Sequence, residues 1–398
     1  MRAEGRRKKE EGRGKRKERF FFFSLPSSLF PLNSKGSVLI MTVWILLMLS
    51  IFSLSVSHRA SQELIFGRWV RDQVTTRVLA KAGIERALLE LQLDKFLTFD
   101  AFNESWGSNE EAFKEIRLQQ GTFTVSCDQP LIEAEEDTEK KEIKTEDPET
   151  EDSKASELKA VELEKAETKR YGLCDEAARI NINFADEEIL TNLLLASVKK
   201  IVALDATKIA QSIIDWRDAD DAAQQAGAES SFYGFLPTPY KARNASFESV
   251  EELLMIRGVT REIYNQIKND VTVYTDGKVN FNTASQTALQ ALGLSPDLAK
   301  RLVEFRKGTD GILGNEDDPA FQMVEGITPA LSAGSAFSGE DFAQITHAVG
   351  KQMVGVKSQV FRIQSIGRLN RSGQDIQTRV TCVTKRNGMV LYWHEGYE

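Results

Sequence analysis

The sequence predicts an α+β protein: a long N-terminal helix packed on an antiparallel sheet, with an α-helical, helix-hairpin-helix-like domain inserted before the last strands. Three observations predict it. An apolar run without ionisable side chains, Ser37 to Val56, continues directly into an amphipathic stretch. The closing segments SQVFRIQSIGRLNRSG, DIQTRVTCVTKRNG and MVLYWHEGYE alternate apolar and polar residues around turn residues Ser372-Gly373 and Asn387-Gly388, the pattern of an antiparallel meander. Between these ends lies a segment that repeats itself.

Residues 1–36 form a leader that opens MRAEGRRKKEEGRGKRKER and ends Lys35-Gly36. Its Lys/Arg excess places the N-terminus in the cytoplasm and sends the bulk of the chain across the membrane. At ~1.5 Å per residue the apolar run, residues 37–57, makes a helix about one hydrocarbon thickness long. A secretory signal carries its small residues after the apolar core. Here Gly36 precedes it, which points to cleavage between Gly36 and Ser37 with the helix retained; an ordinary single-pass anchor is the alternative. Residues 58–128 begin with Leu64, Trp69, Val74, Val78, Leu79, Ile84, Leu88 and Leu91 near helical spacing, so the membrane helix continues as an amphipathic one.

With 398 residues, 41% of them hydrophobic, the chain has room for two or three domains, each with a core. A net charge of −8 argues against wholesale nucleic-acid binding, which needs concentrated Lys and Arg. The three cysteines are too few for a disulfide scaffold, and no Cys/His group has zinc-ligand spacing. Residues 129–170 are an acidic flexible linker: from Ile132 onward they hold no aromatic residue and cannot bury a core. The linker is flanked by GTFTVSCDQP and YGLCDEAARININ, two strand-like pieces. If these pair as a hairpin, Cys127 and Cys174 become cross-strand neighbours that form a disulfide; otherwise they are two unrelated buried thiols.

Residues 171–352 carry the repeat. RININFA at Arg179 recurs as KVNFNTA at Lys278, and two helix-like stretches follow each copy, the second ending IIDWRD or LVEFRK. The Asn-x-Asn step caps a helix and ties it to a strand end. An acidic loop comes next. Asp218, Asp220, Asp221 and Glu229 around Gly227 offer calcium the oxygen ligands it takes on irregular backbone, and Asn244 follows closely enough to fold back and add an amide oxygen. The second loop offers Asp310, Asn315, Glu316, Asp317 and Asp318, with Gly311 and Gly314 for sharp turns. Neither has EF-hand spacing, and solvated acidic loops are the plain alternative. VEELLMIRGVTREIYNQI resembles a helix-hairpin-helix with Gly258 at its turn, although Thr260 stands where DNA-binding versions commonly carry a second glycine. Residues 353–398 hold the final strands.

Together these pieces resemble the general secretion pathway protein K family, the large minor pseudopilins of type II secretion systems. The resemblance rests on Lys35-Gly36 before an apolar helix, on ININ and VNFNTA, on DWRDADD, GAESSFYGFLPTPYKARN and SVEELLMIRGVT, and on strands ending at Tyr392-Trp393. It implies a pilin-like fold with an inserted helical domain that binds calcium, and a structural rather than enzymatic role. A prepilin peptidase would cut after Gly36 and methylate Ser37. The mature protein would sit in the bacterial inner membrane as a single-pass protein with its C-terminal domain in the periplasm. There it would cap the pseudopilus tip with two other minor pseudopilins, above the major pseudopilin. Major pseudopilins carry a glutamate at the fifth mature residue; the corresponding residue here is Met41, which suits a subunit with nothing above it, since a buried charge in lipid is costly without a partner. Two other classes share features with the chain: membrane-anchored helix-hairpin-helix DNA receptors of the competence type, and minor pilins of type IV systems.

Overall fold

The computed structural model describes residues 37–94, 98–127, 170–332, 337–371 and 373–397. The leader with Gly36, and all of the acidic linker except Arg170, lie outside them. Helix α1 runs from Ser37 to Leu93, and its apolar part is long enough to cross a membrane. The chain divides into two units, residues 1–67 and 68–398.

Within the second unit, α1 packs on a sheet of order β1-β2-β8-β9-β10, with β1 Ile116–Leu118, β2 Gly121–Val125, β8 Val360–Arg371, β9 Gln374–Lys385 and β10 Val390–Tyr397. The last three strands form the expected meander, β8 and β9 pairing from Val360↔Lys385 to Arg371↔Gln374. Buried apolar helix residues Ala80, Ile84, Ala87 and Leu91 cluster with Phe123, Val125, Phe361, Ile363, Val380 and Cys382. Leu64, Trp69, Val74 and Val78, which share the helical spacing, are exposed. The stripe is set by where the helix can approach the sheet. A β-carbon on Gly83 would lie 2.2 Å from Ser365 Oγ, and one on Gly367 would lie 2.1 Å from the Thr76 carbonyl. A glycine inside a helix costs about 0.5–1 kcal/mol relative to alanine, so this pair is explained by close contact.

The two segments flanking the linker do not form a hairpin. Strand β3, Cys174–Asp175, pairs with β8 at Arg362 and Phe361, while β2 pairs with the same strand at Arg368 through Ser365. They lie end to end along one edge of β8, and residues 128–169 interrupt that track. Cys127 and Arg170 form an antiparallel bridge at the interruption. Cys127 and Cys174 are joined as a disulfide with Cα atoms 5.2 Å apart.

The inserted helical unit has its own apolar core. Its two copies are built alike. In the first, β4 (Ile180–Asn181) pairs in parallel with β5 (Val271–Thr272), and helices Glu187–Ser197 and Ala203–Arg217 follow. In the second, β6 (Val279–Asn280) pairs in parallel with β7 (Val354–Gly355), and helices Gln286–Ala291 and Pro296–Phe305 follow. The strand-end asparagines do the same work twice. Asn183 exchanges side-chain hydrogen bonds with the Phe247 backbone at 3.0 and 2.7 Å, and Asn282 does so with Phe321 at 2.9 and 2.7 Å. Arg217 donates to the carbonyls of Ile182 and Ala185, Arg306 to that of Ala284.

Asp175 ties this unit to the sheet. It is 1% exposed; its Oδ2 accepts from Asn280 Nδ2 at 3.0 Å, Thr283 Oγ1 at 2.5 Å and Ser358 Oγ at 2.6 Å, and its Oδ1 from Ala177 N at 2.8 Å. Removing one partner from such a network strands the rest, and each stranded buried polar group costs about 1–3 kcal/mol. Asp175→Ala is expected to lower unfolding free energy by roughly 3 kcal/mol on that basis. Urea denaturation checks this; a loss below about 1 kcal/mol would remove Asp175 from the role of tie.

Candidate metal centre

The first acidic loop starts where the Ala203–Arg217 helix ends, with Asp218 as its C-cap residue. One carboxylate oxygen from each of Asp215, Asp218 and Glu229 lies within 4.8 Å of the others. Asp215 is fully buried and Glu229 is 1% exposed. Three buried oxygens around this loop have no hydrogen-bond partner: Asp218 Oδ1, Glu229 Oε1 and Asn244 Oδ1. Burial pushes the Glu229 carboxyl up to about 7, and the neighbouring Asp215, Asp218 and Asp221 charges push it the same way. Burial raises the Asp215 and Asp218 carboxyls as well. Like charges gathered out of water carry a cost that a cation at their centre relieves.

The other residues of the loop hold this arrangement. Gly227 passes so close that a β-carbon there would lie 1.9 Å from Asp215 Oδ2. Asn244 adopts φ +48°, donates through Nδ2 to the Asp220 carbonyl at 2.9 Å and to Asp221 Oδ1 at 3.0 Å, and so turns its Oδ1 away from both. The carboxylates of Asp220 and Asp221 are exposed, Asp220 Oδ1 accepting from Ala222 N at 2.8 Å. Of the expected ligands, then, Asp218 and Glu229 come together, Asn244 presents an unpartnered amide oxygen, and Asp220 and Asp221 stand outside. Asp215, which the sequence reading passed over, takes a place in the cluster. Its signal was its position: three residues before Asp218, on the helix face shared with Ser212 and Trp216. An all-oxygen donor set with unpartnered buried oxygens fits a hard dication such as calcium.

The second loop is arranged differently. Asp310 accepts from Ile312 N and Asn315 Nδ2, both at 2.7 Å; Asp317 Oδ2 accepts from Thr309 N and Oγ1, both at 2.8 Å. Asp318 Oδ2 accepts from Gly314 N, leaving Asp318 Oδ1 and Asn315 Oδ1 unpartnered. Where the first copy has Asp215 and Asp218, the second has Glu304 and Lys307, paired with each other at 3.0 Å. Among the described residues, no three carboxylates converge at this loop. The turn at Gly258 is lined by Lys199, Lys200, Lys208 and Arg257 together with Asp205 and Glu262. Asp205 pairs with Lys208 at 2.9 Å, and Arg257 donates to the Gly227 carbonyl while lying over the Phe232 ring. These pairings mix the charge of the face that nucleic-acid binding would need.

An apolar N-terminal helix continuing onto an antiparallel meander, with a duplicated helical unit spliced between β3 and β8, defines a pilin-like protein with an inserted domain. Residues 177–276 match the family model of type II secretion system protein K. Curated relatives called type II secretion system protein K include one from Pseudomonas aeruginosa, 29% identical over 174 residues, or 42% of this chain and 48% of the relative. Those from Pectobacterium carotovorum and Aeromonas hydrophila are 30% and 32% identical over 23% and 26% of this chain, and 27% and 34% of their own lengths. The chain thus spans about a quarter to a half of the length of these relatives. It is also similar, with a TM-score of 0.50 and 16% identity over 85% of its length, to a chain of the crystal structure of the GspK-GspI-GspJ complex from the enterotoxigenic Escherichia coli type 2 secretion system, 99% of which is covered. Over residues 177–276 the chain is thus similar to type II secretion system protein K.

Proposed function

We propose that this protein is a minor pseudopilin that caps the pseudopilus tip of a type II secretion system, as a structural part and not a catalyst. Prepilin peptidase cuts after Gly36, α1 anchors the mature chain in the inner membrane, and the residues beyond it stand in the periplasm. Two other minor pseudopilins are its neighbours at the tip, with the major pseudopilin below. The observation that carries the reading is the helical unit inserted between β3 and β8 of a pilin-like sheet, an architecture shared with a chain of a three-protein complex. Two further features support it. Met41 puts a thioether where a shaft subunit has a carboxylate, and Val74 and Val78 leave apolar surface of α1 exposed.

Calcium belongs to the same proposal. Asp215, Asp218, Glu229 and Asn244 would hold the ion, with the second loop (Asp310, Asn315, Asp317, Asp318) a weaker place for another. The ion supplies charge neutralisation and a rigid crosslink; the chain supplies the buried oxygens and the helix end that aims them.

Affinity purification of the tagged chain from its native membrane tests the assignment. Two smaller proteins, each with an N-terminal apolar helix, are expected to co-purify with it in equal amounts. Met41→Glu is expected to weaken that recovery, because the new carboxylate has no partner in lipid. Recovery of the chain alone, or wild-type cross-links found only along the shaft, would overturn the tip reading.

A further inference from the structure

A second group of carboxylates lies away from the repeat, where α1 ends against the sheet. One oxygen from each of Asp94, Asp100 and Glu104 lies within 4.8 Å of the others. Asp94 follows α1 directly, and Asp100 and Glu104 lie in the connection that leads on to β1. Arg386, from the turn between β9 and β10, donates to Asp94 Oδ2 and Asp100 Oδ1. Asp100 Oδ2 accepts from Ser358 N at 2.7 Å. Glu104 Oε2 accepts from Trp106 Nε1 at 2.5 Å and from Ala101 N at 3.5 Å. Glu104 is 6% exposed, and its Oε1 has no hydrogen-bond partner.

That unpartnered oxygen decides what the cluster is for. Three carboxylates gather around one guanidinium, so negative charges outnumber the positive one among these four groups. A proton on Glu104 is the cheapest way to remove one of them. It adds a buried donor that needs an acceptor of its own, whereas Oε1 has no hydrogen-bond partner. A cation has no such difficulty. Calcium binds oxygens at about 2.3–2.6 Å, so two ligands on opposite sides of one ion stand about 4.6–5.2 Å apart. Oxygens within 4.8 Å of one another leave room for an ion bracketed between carboxylates. Burial pushes Asp100 up to about 7, against the lowering pull of Arg386, and Glu104 up to about 8. The donors are all oxygen, which selects against zinc and copper; their irregular placement suits calcium better than magnesium, with its demand for octahedral geometry.

We propose that Asp94, Asp100 and Glu104 form a calcium site at the C-terminal end of α1, independent of the loop after Trp216. The ion crosslinks the end of α1, the connection after it and, through Arg386, the β9–β10 turn. It fixes the helix to the sheet at the point where the helix stops.

Terbium luminescence tests this on the full chain in detergent micelles after chelation. Trp106, bonded to Glu104, sensitises a lanthanide held there, and Trp216 does the same for the other site. Asp218→Ala is therefore the background of choice. In it, excitation of tryptophan is expected to give saturable terbium emission that calcium displaces, and adding Glu104→Gln, which keeps an acceptor for Trp106, is expected to reduce that emission to background. Glu104→Gln alone retains the Asp218-dependent signal. Asp94→Asn serves as an independent second variant should Glu104→Gln misfold by near-ultraviolet circular dichroism. Two results overturn the proposal: no emission in Asp218→Ala, or emission that survives both Glu104→Gln and Asp94→Asn. Failure of the other site is distinguishable, since Asp218→Ala would then match the wild type while Glu104→Gln lost the signal.

Discussion

Calcium should raise the melting temperature of the chelated chain, and Asp218→Ala or Asp215→Ala should remove the part of that rise that belongs to the loop after Trp216. The reason lies in the unfolded state. There the carboxylates are far apart and hydrated, whereas folding gathers Asp215, Asp218 and Glu229 within 4.8 Å and leaves buried oxygens unpartnered. An ion that binds only the folded arrangement adds stability by mass action, about 4 kcal/mol when free calcium stands a thousandfold above its dissociation constant. Asp220→Ala is the internal control. Its carboxylate is exposed and turned to Ala222 N, so this variant should keep most of the response. Differential scanning calorimetry with and without millimolar calcium reads all of these. An unchanged response in both Asp215→Ala and Asp218→Ala would place the ion elsewhere, and no response in the wild type would leave the loop as solvated acid.

The other large effect belongs to the disulfide. Cys127 and Cys174 are 47 residues apart in sequence, and closing a loop of that length restrains the unfolded chain by about 4 kcal/mol in the loop-entropy model. Replacing both cysteines by serine should lower the denaturation midpoint accordingly without changing the fold, because β3 still pairs with β8 and Asp175 keeps its partners. Chemical denaturation under oxidising and reducing conditions makes the comparison. Equal stability in the two conditions would show that the bond contributes nothing.

What could be read from the sequence divides by physical cause. Helix α1, the β8–β10 meander and the Asn-x-Asn repeat are local patterns, written in period and spacing, and they were legible before any coordinates. The role of Asn183 and Asn282 in clamping Phe247 and Phe321 was not, since the partners lie 64 and 39 residues away. Asp215 escaped for a related reason: a single acid within an apolar helix face looks like a solvated residue until the loop folds back over it. Adjacent strand-like segments with a long excursion between them leave a hairpin of β2 and β3 open as one reading. Both were instead drawn to the same edge of β8, whose twelve residues offer more hydrogen-bonding groups than either short strand could satisfy alone. Trp69 and Val78 show the limit of amphipathic spacing. It marks an apolar face, and the fold of this chain leaves these two residues exposed.

The disulfide also has a topological meaning. Residues 127–174 form a covalent ring closed by the pair of sulfur atoms, and the acidic stretch belongs to that ring. A protease that cuts anywhere in that stretch opens the ring without parting the chain. The α1 portion and the portion bearing the repeat would still migrate as one species until a reductant is added, and then as two. The acidic stretch can therefore be lengthened, shortened or nicked while the long apolar helix stays attached to the folded domain.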